Sequence, residues 1–546
     1  MIQRLISTIL IIMVLGSCKH DRSSADLILK NGVIYTADSG FTIYTAMVVN
    51  NGKIVELGDD KFILENFSSD SIVDLEGKPV YPGFIDAHSH FYGYADMQRY
   101  ADLSAMSSFE DLLDYIQNFY QNHPTGWLVG RGWDQNKWPG AAFPVNDELN
   151  TLFPDIPVVL IRVDGHAVLV NDAAIKLSGL TTDSISEPGM AITKKGKFTG
   201  VFLEMYADRF RNLVPAPEGE DLSNLLLQAA DNCFAAGLTM VADAGLDASV
   251  IDFIDRLQRD DKLKMAIYAM LNPTEENIDR YVKSGIVMKP RLNIRSVKLY
   301  ADGALGSRGA CLLEPYSDDP GNYGIMTITP DELGRICLMA YDNGYQVNTH
   351  AIGDSAVRTV LNVYSNYLLP GNDLRWRIEH AQVVHPQDFN KFGEFAIIPS
   401  VQATHATSDM RWAHKRLGKD RVKNAYAYRK LLQQNNWLPN GTDFPIEGIS
   451  PVKTFYAAVA RKDRKGYPSG GFQKENALTR EEALKSVTIW AAKSCFEETR
   501  RGSLEPGKNA DFVVLDKDIM VVPEKEIHTA SVLRTYVDGN AVYLRN

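Results

Sequence analysis

Apolar positions along this chain fall into two textures. From Ala25 to Val80 they alternate with polar residues in short runs, "DLILKNGVIYTAD", "AMVVNNGKIVELG" and "SIVDLEGKPVYPG", punctuated by Asn-Gly and Glu-Gly turn signals. The C-terminal stretch from "GKNADFVVLDKD" to "ASVLRTYVDGNAVYL" reads the same way. A period of two predicts half-buried strands. Two strand-rich ends of one chain are expected to pair, giving a small β-sandwich composed of residues 25–80 and 505–546. Whatever lies between must start and finish close together.

The middle of the chain changes texture. Short apolar runs finish in polar residues: "GFIDAHSH" (83–90), "LTMVADAG" (238–245), "MAIYAML" (265–271), "SVKLYADG" (296–303), "YQVNTHAIG" (345–353), "RWRIEHAQ" (375–382), "AIIPSVQATH" (396–405) and "WLPNGTDFP" (437–445). Between them lie helical patterns such as "DLSNLLLQAADNCFAAG" and "TREEALKSVTIWAAKS". Eight strands alternating with helices predict an α/β fold, a (β/α)8 TIM barrel over residues 81–504. The interval between the first two runs is far too long for one helix. It holds "GWLVGRGWDQNKWPG" and "PVVLIRVDGHAVLVND", so residues 100–235 are expected to be mostly an inserted subdomain over the catalytic mouth, where this fold carries its insertions.

Residues 1–18, MIQRLISTILIIMVLGSC, stand apart from both textures. One Arg, an apolar stretch from Leu5 to Leu15 and small residues before Cys18 have the build of a signal peptide too short for a membrane span. Leu15-Gly16-Ser17-Cys18 resembles a bacterial lipobox, which predicts a lipid on Cys18 and a bacterial envelope protein attached to a membrane only through that anchor; secretion with nearby cleavage is the alternative. The net charge of −11 is spread without basic blocks, which argues against nucleic acid as a partner. Cys233, Cys311, Cys337 and Cys495 form no C-x-x-C pair and read as small buried apolar residues rather than ligands. Nothing in the pattern specifies an oligomer.

The candidate chemistry lies at the ends of the apolar runs. His88 and His90 are two apart in a strand, so both point to one side. A metal ion would supply the partner that two inward imidazoles need. His350, His380 and Asp443 close three other runs, and in a barrel those ends converge on one rim. Such a set suits one or two divalent ions. Lys298 lies at matching depth in its run. Beside dications it would be neutral, or converted by carbon dioxide to an anionic carbamate that bridges metals, or extended toward solvent. Arg308 would hold a substrate carboxylate or sit in a loop salt bridge. Trp133, Trp138 and Tyr92 would line an apolar pocket or, for residues of the insertion, form its own core. His405 has no comparable strand-end motif and invites re-examination.

Together the motifs "PGFIDAHSH", "GWDQNKWPG", "RVDGHAVLVN", "VKLYADGALGSRGA", "NTHAIGD", "RIEHAQ" and "GTDFP" make the chain after residue 18 resemble the amidohydrolase superfamily, in the YtcJ-like branch that includes N-substituted formamide deformylases. The resemblance implies a metal-dependent hydrolase in which His88 and His90 bind the more buried metal. It implies a carbamate on Lys298 bridging to a second metal held by His350 and His380, with Glu204 in "GVFLEMY" as the alternative bridge. Asp443 would ligate metal and take the proton of the attacking water, and His166 would donate to the substrate carbonyl or oxyanion, or else serve a Gly turn structurally. The metal would be zinc, or iron, manganese or cobalt in the same frame. The expected activity is cleavage of a C–N bond in a small amide, N-substituted formamide or cyclic amide by metal-activated water. A deaminase acting on a heterocycle and a catalytically inactive envelope binding lipoprotein are the other readings.

Overall fold

A computed structural model describes residues 22–122, 124, 126–163, 165, 167–185, 191–194 and 196–545. At its centre seven parallel strands form a nearly closed sheet: β1 (Phe84–Ser89), β2 (Leu238–Leu246), β3 (Ala266–Leu271), β4 (Leu292–Tyr300), β5 (Gln346–Ala351), β6 (Arg377–His380) and β7 (Ile398–Ser400), paired in chain order. Seven of the eight expected runs are therefore strands, and the fold is (β/α)8-like. Side chains of β4 show why the runs look apolar yet carry chemistry. Val297 and Leu299 join the hydrophobic cluster that continues into Leu333, Ile336 and Val360 of the surrounding helices. Ser296 and Lys298, on the other face, are buried inside the ring.

The eighth run does not form a strand among the described residues. In "WLPNGTDFP" two prolines lack N–H donors and Asp443 takes φ 62°, so no continuous ladder can form. The segment still closes the ring by single hydrogen bonds. Val401 N donates to Pro439 O and Gly441 N to Val401 O, while Asp443 N donates to His88 O and His90 N to Phe444 O, at 2.8–3.1 Å. Gly441 is required here, because a Cβ would lie 2.5 Å from His88 N.

The two chain ends interleave. One six-stranded sheet runs Asn540–Leu544, Val532–Val537, Phe512–Leu515, Pro79–Pro82, Val33–Tyr35 and Ile43–Tyr44. A four-stranded sheet runs Lys53–Gly58, Ala46–Asn50, Leu27–Lys30 and Ile72–Asp74. Leu29, Met47 and Val49 of the second share one apolar core with Val80, Phe512 and Tyr536 of the first. Another six-stranded mixed sheet, built from residues within 101–203, lies between β1 and β2 in the chain, although those two strands are paired. Its two faces are buried separately, one against Leu112 and Ile116, the other against Tyr206, Ala207 and Phe210. The helix Gly219–Ala235 that follows packs Leu222, Leu226 and Ala229 into the barrel's cluster instead. No helix among the described residues is long and apolar enough to cross a membrane.

Candidate metal centre

The register of the barrel brings the polar strand ends to one level. Tyr300 pairs with His350, His350 with Glu379, and Ala351 with His380 across β4, β5 and β6. His88 and His90 leave β1 beside Asp443, whose backbone is tied to His88 O. The result is a cavity of about 390 Å³ walled at its base by His88, His90, Lys298, His350, His380 and Asp443. Tyr300, Leu305, Ile352, Trp412 and Ile446 supply its apolar sides.

Asp443 is the hub. Its Oδ1 lies 3.3 Å from His90 Nε2 and 3.6 Å from His88 Nε2, and its Oδ2 lies 3.6 Å from His405 Nε2. Two sets of ligand-type atoms meet there, His88/His90/Asp443 and His380/His405/Asp443, each within 4.8 Å of one another. The rings of His350 and His380 are 4.6 Å apart, and those of His88 and His380 5.0 Å. Lys298 Nζ lies 3.3 Å from His88 Nε2.

The electrostatics follow from burial. Desolvation, then the Lys298 charge, brings His88 down to about 4 and His350 down to about 3. Burial and the neighbouring His350 hold His380 well below the usual imidazole range. Burial, against the pull of Glu379 and Asp443, brings Lys298 down to about 8. For Asp443 burial pushes upward, but the surrounding imidazoles of His90, His88, His380 and His405 outweigh it and hold the carboxyl well below its ordinary value. Neutral imidazoles around an ionised carboxylate are the state in which these groups bind a cation.

The outer partners fix each ring. His88 Nδ1 is hydrogen-bonded to Glu379 Oε2, and Glu379 is paired with Arg377, Nε to Oε1 at 2.6 Å. His380 Nδ1 meets Gln402 Oε1 at 2.7 Å and His90 Nδ1 meets Ala244 O at 3.0 Å. In all three histidines Nδ1 is engaged from behind, which leaves Nε2 for the cavity. His350 Nε2, His405 Nε2 and Asp443 Oδ1 are buried and have no hydrogen-bond partner. Buried orphan acceptors grouped in this way fit a divalent ion with nitrogen and oxygen ligands.

All six residues named from the strand ends therefore converge. Others lie elsewhere. Trp133 and Trp138 stack in the core of the inserted sheet, ring centroids 5.8 Å apart, with indole N–H groups donating to Leu160 O and Met106 O. Tyr92 is half-buried against the barrel's cluster and its backbone N–H donates to Asp243. Arg308 makes two hydrogen bonds to Asp318, at 3.1 and 3.2 Å, away from the cavity. Cys18, His166 and the side chain of Glu204 lie outside what the structure describes. Sequence reasoning passed over Glu379 and set His405 aside. Glu379 stands one residue before His380 in "RIEH", a carboxylate in a fully buried strand, which is itself a signal. His405 stands in the helix Ala403–Asp409, five residues past the end of β7, whereas His88, His350 and His380 lie within their strands, so the strand-end pattern does not mark it.

The amidohydrolase family profile matches residues 71–543. The Bacillus subtilis protein YtcJ, named as an amidohydrolase, is 30% identical over 94% of this chain and 98% of its own. An N-substituted formamide deformylase of Arthrobacter pascens is 25% identical over 95% of this chain and 98% of its own. Among solved structures, an uncharacterized metal-dependent hydrolase from Pyrococcus horikoshii OT3 superposes with a TM-score of 0.79 at 30% identity, covering 91% of this chain and 99% of that one.

Proposed function

Since the chain belongs to the amidohydrolase family, as a YtcJ-like, metal-dependent hydrolase, we propose that it cleaves the C–N bond of a small amide, an N-substituted formamide or cyclic amide among them. The observation that carries this reading is Asp443, an ionised carboxylate shared by two sets of ligand-type atoms at the floor of a cavity with apolar walls. When bound, a divalent ion there, zinc in this proposal, supplies positive charge that acidifies water and polarises a carbonyl oxygen.

His88, His90 and His380, whose Nδ1 atoms are engaged from behind, would hold the ion or ions, and His350 would join them from the end of β5. Asp443 accepts the proton of the attacking water at Oδ1 or Oδ2 and returns it to the leaving nitrogen, which departs as an amine. Lys298 is assigned a carbamate: its neutral amine attacks carbon dioxide, the N–C bond forms, and the nitrogen loses one proton, leaving an anion where the free ammonium would repel a cation. Its buried Nζ beside His88 supports that assignment; Glu204 is the alternative. His166 is assigned to the substrate carbonyl on its motif alone. On sequence grounds too, Cys18 is proposed to carry the lipid that keeps the protein at the bacterial envelope, and residues 100–235 to roof the active site.

The test is a panel of N-substituted formamides, linear amides and cyclic amides offered to zinc-reconstituted protein, with released amine as readout. Amine release that disappears on chelation and returns with zinc is the expected result. Ammonia release from aminated heterocycles without amide turnover would instead make the chain a deaminase. Ligand binding without any turnover would make it a binding protein.

A further inference from the structure

A second cavity of about 420 Å³ adjoins the first, and His90 and Ile446 belong to the walls of both. Its far side is the inserted sheet. Val129 and Arg131 are two apart on the strand Leu128–Trp133 and so share a face, and Arg131 is in register with Ile161 of the neighbouring strand. Most of that face is covered by the helix Glu204–Leu213 through Tyr206, Ala207 and Phe210. At its end toward the barrel Val129, Arg131 and Ile161 line the cavity together with Met97, Tyr100 and Pro445.

Arg131 is the anomaly in this chamber. It is half-buried on an otherwise apolar face, and among the described residues its guanidinium has no hydrogen bond or ion pair. Arg211 lines the same chamber but is engaged: it donates to Gly165 O at 3.0 Å and is paired with Asp208. Both guanidinium groups approach Gly165, at 3.3 Å and 3.9 Å from where its Cβ would stand, so Arg211 is occupied with the turn while Arg131 is left facing the cavity. Arg308, the other arginine considered for an anionic substrate group, is spent on Asp318.

Building on the amide-hydrolase reading, we propose that this chamber is a substrate subsite in which Arg131 binds a carboxylate, so that the favoured substrate is an amide with an apolar substituent ending in a carboxylate. The scissile carbon sits at His90 and Asp443, the apolar substituent passes Ile446 into the chamber, and the planar fork of Arg131 takes the anion. A carboxylate fits better than a phosphate, because Arg211, which also lines the chamber, is already paired with Asp208, and Arg131 is left to balance one negative charge and not two.

The experiment has two arms on the metal-loaded protein and its Arg131→Gln and Arg131→Lys variants, with thermal unfolding as a check on folding. In the first, phenylbutyrate and its neutral counterpart phenylbutanol are titrated by calorimetry, which needs no turnover. The wild type should prefer the carboxylate. Arg131→Gln should weaken phenylbutyrate about tenfold to a hundredfold, leave phenylbutanol unchanged, and Arg131→Lys should recover part of the loss. In the second arm, para-(formamidomethyl)benzoate and its carboxamide are compared as substrates; the loss in Arg131→Gln should appear in KM for the benzoate, with kcat kept. Equal binding of phenylbutyrate to wild type and Arg131→Gln, or no preference for it over phenylbutanol in the wild type, would overturn the subsite. Arg131-dependent phenylbutyrate binding without amide turnover would keep the subsite and remove the hydrolase reading. Amide turnover indifferent to Arg131 would do the reverse.

Discussion

Glu379 and His88 lie 291 positions apart in the chain and are joined by a hydrogen bond between Oε2 and Nδ1, with both side chains fully buried. Arg377 secures the carboxylate from behind, and Arg377, then His88, hold Glu379 well below the usual range against the upward push of burial. The bond fixes the imidazole with Nε2 toward the cavity. Glu379→Gln should lower metal affinity about 10–100-fold. It should also lower the melting temperature of the metal-free protein, because the buried Arg377 loses its counter-charge. Zinc content after dialysis against a weak chelator, per mole of folded protein, measures the first effect; undiminished content would show that His88 needs no such support.

Asp443→Asn should leave the barrel folded, since the backbone bond from Asp443 N to His88 O does not involve the side chain. Turnover should fall by about 10²–10⁴-fold if the carboxylate handles the proton. Steady-state kinetics beside circular dichroism separate this outcome from unfolding, and a variant with wild-type kcat would take the proton role away from Asp443.

His405 should behave as part of the centre although it lies outside β7. His405→Ala removes one of the three ligand-type atoms of the His380/His405/Asp443 set and should reduce both metal content and kcat. His385→Ala, whose ring accepts from Gln387 N outside the cavity, serves as the control and should change neither. Elemental analysis of the two variants side by side decides it.

Lys298 offers a spectroscopic test. With carbon-13 bicarbonate and zinc, the protein should show a carbamate carbon resonance that is missing in Lys298→Met. A spectrum without that resonance in zinc-loaded, active protein would move the bridging role to Glu204.

Trp133 and Trp138 are packing residues in this structure, so their truncation should act on stability. Trp133→Ala should cost about 3–5 kcal/mol in the inserted sheet, read as a lower denaturant midpoint. Trp138→Phe should leave KM unaltered, whereas a raised KM with normal stability would return that indole to the substrate pocket.

The legible parts of the sequence were those where one physical pattern acts alone. Seven apolar runs ending in polar residues became seven barrel strands, because a parallel strand buried on both faces has little freedom except at its end. "WLPNGTDFP" carried the same signature but also Pro439, Pro445 and the left-handed Asp443, which favour an irregular segment. His88, His90, Lys298, His350, His380 and Asp443 were readable because ring closure makes strand ends neighbours whatever their separation. Glu379 was not, since nothing local says that a carboxylate beside His380 crosses the barrel to reach His88. The positions of Trp133, Trp138 and Arg308 depended on partners, Leu160, Met106 and Asp318, that only the packed loops and inserted sheet supply.

The irregular segment that stands in for an eighth strand ties the order of assembly to the chemistry. Asp443 reaches His88 of β1 and His90 just beyond it when Gly441 meets Val401 and Asp443 meets His88, which are the bonds that shut the ring. A chain still open along that seam has its imidazoles but not the carboxylate common to both ligand sets. Tight metal capture would thus come last, as a latch on a finished cylinder, and a completed fold would differ from every partial one in how firmly it keeps the ion.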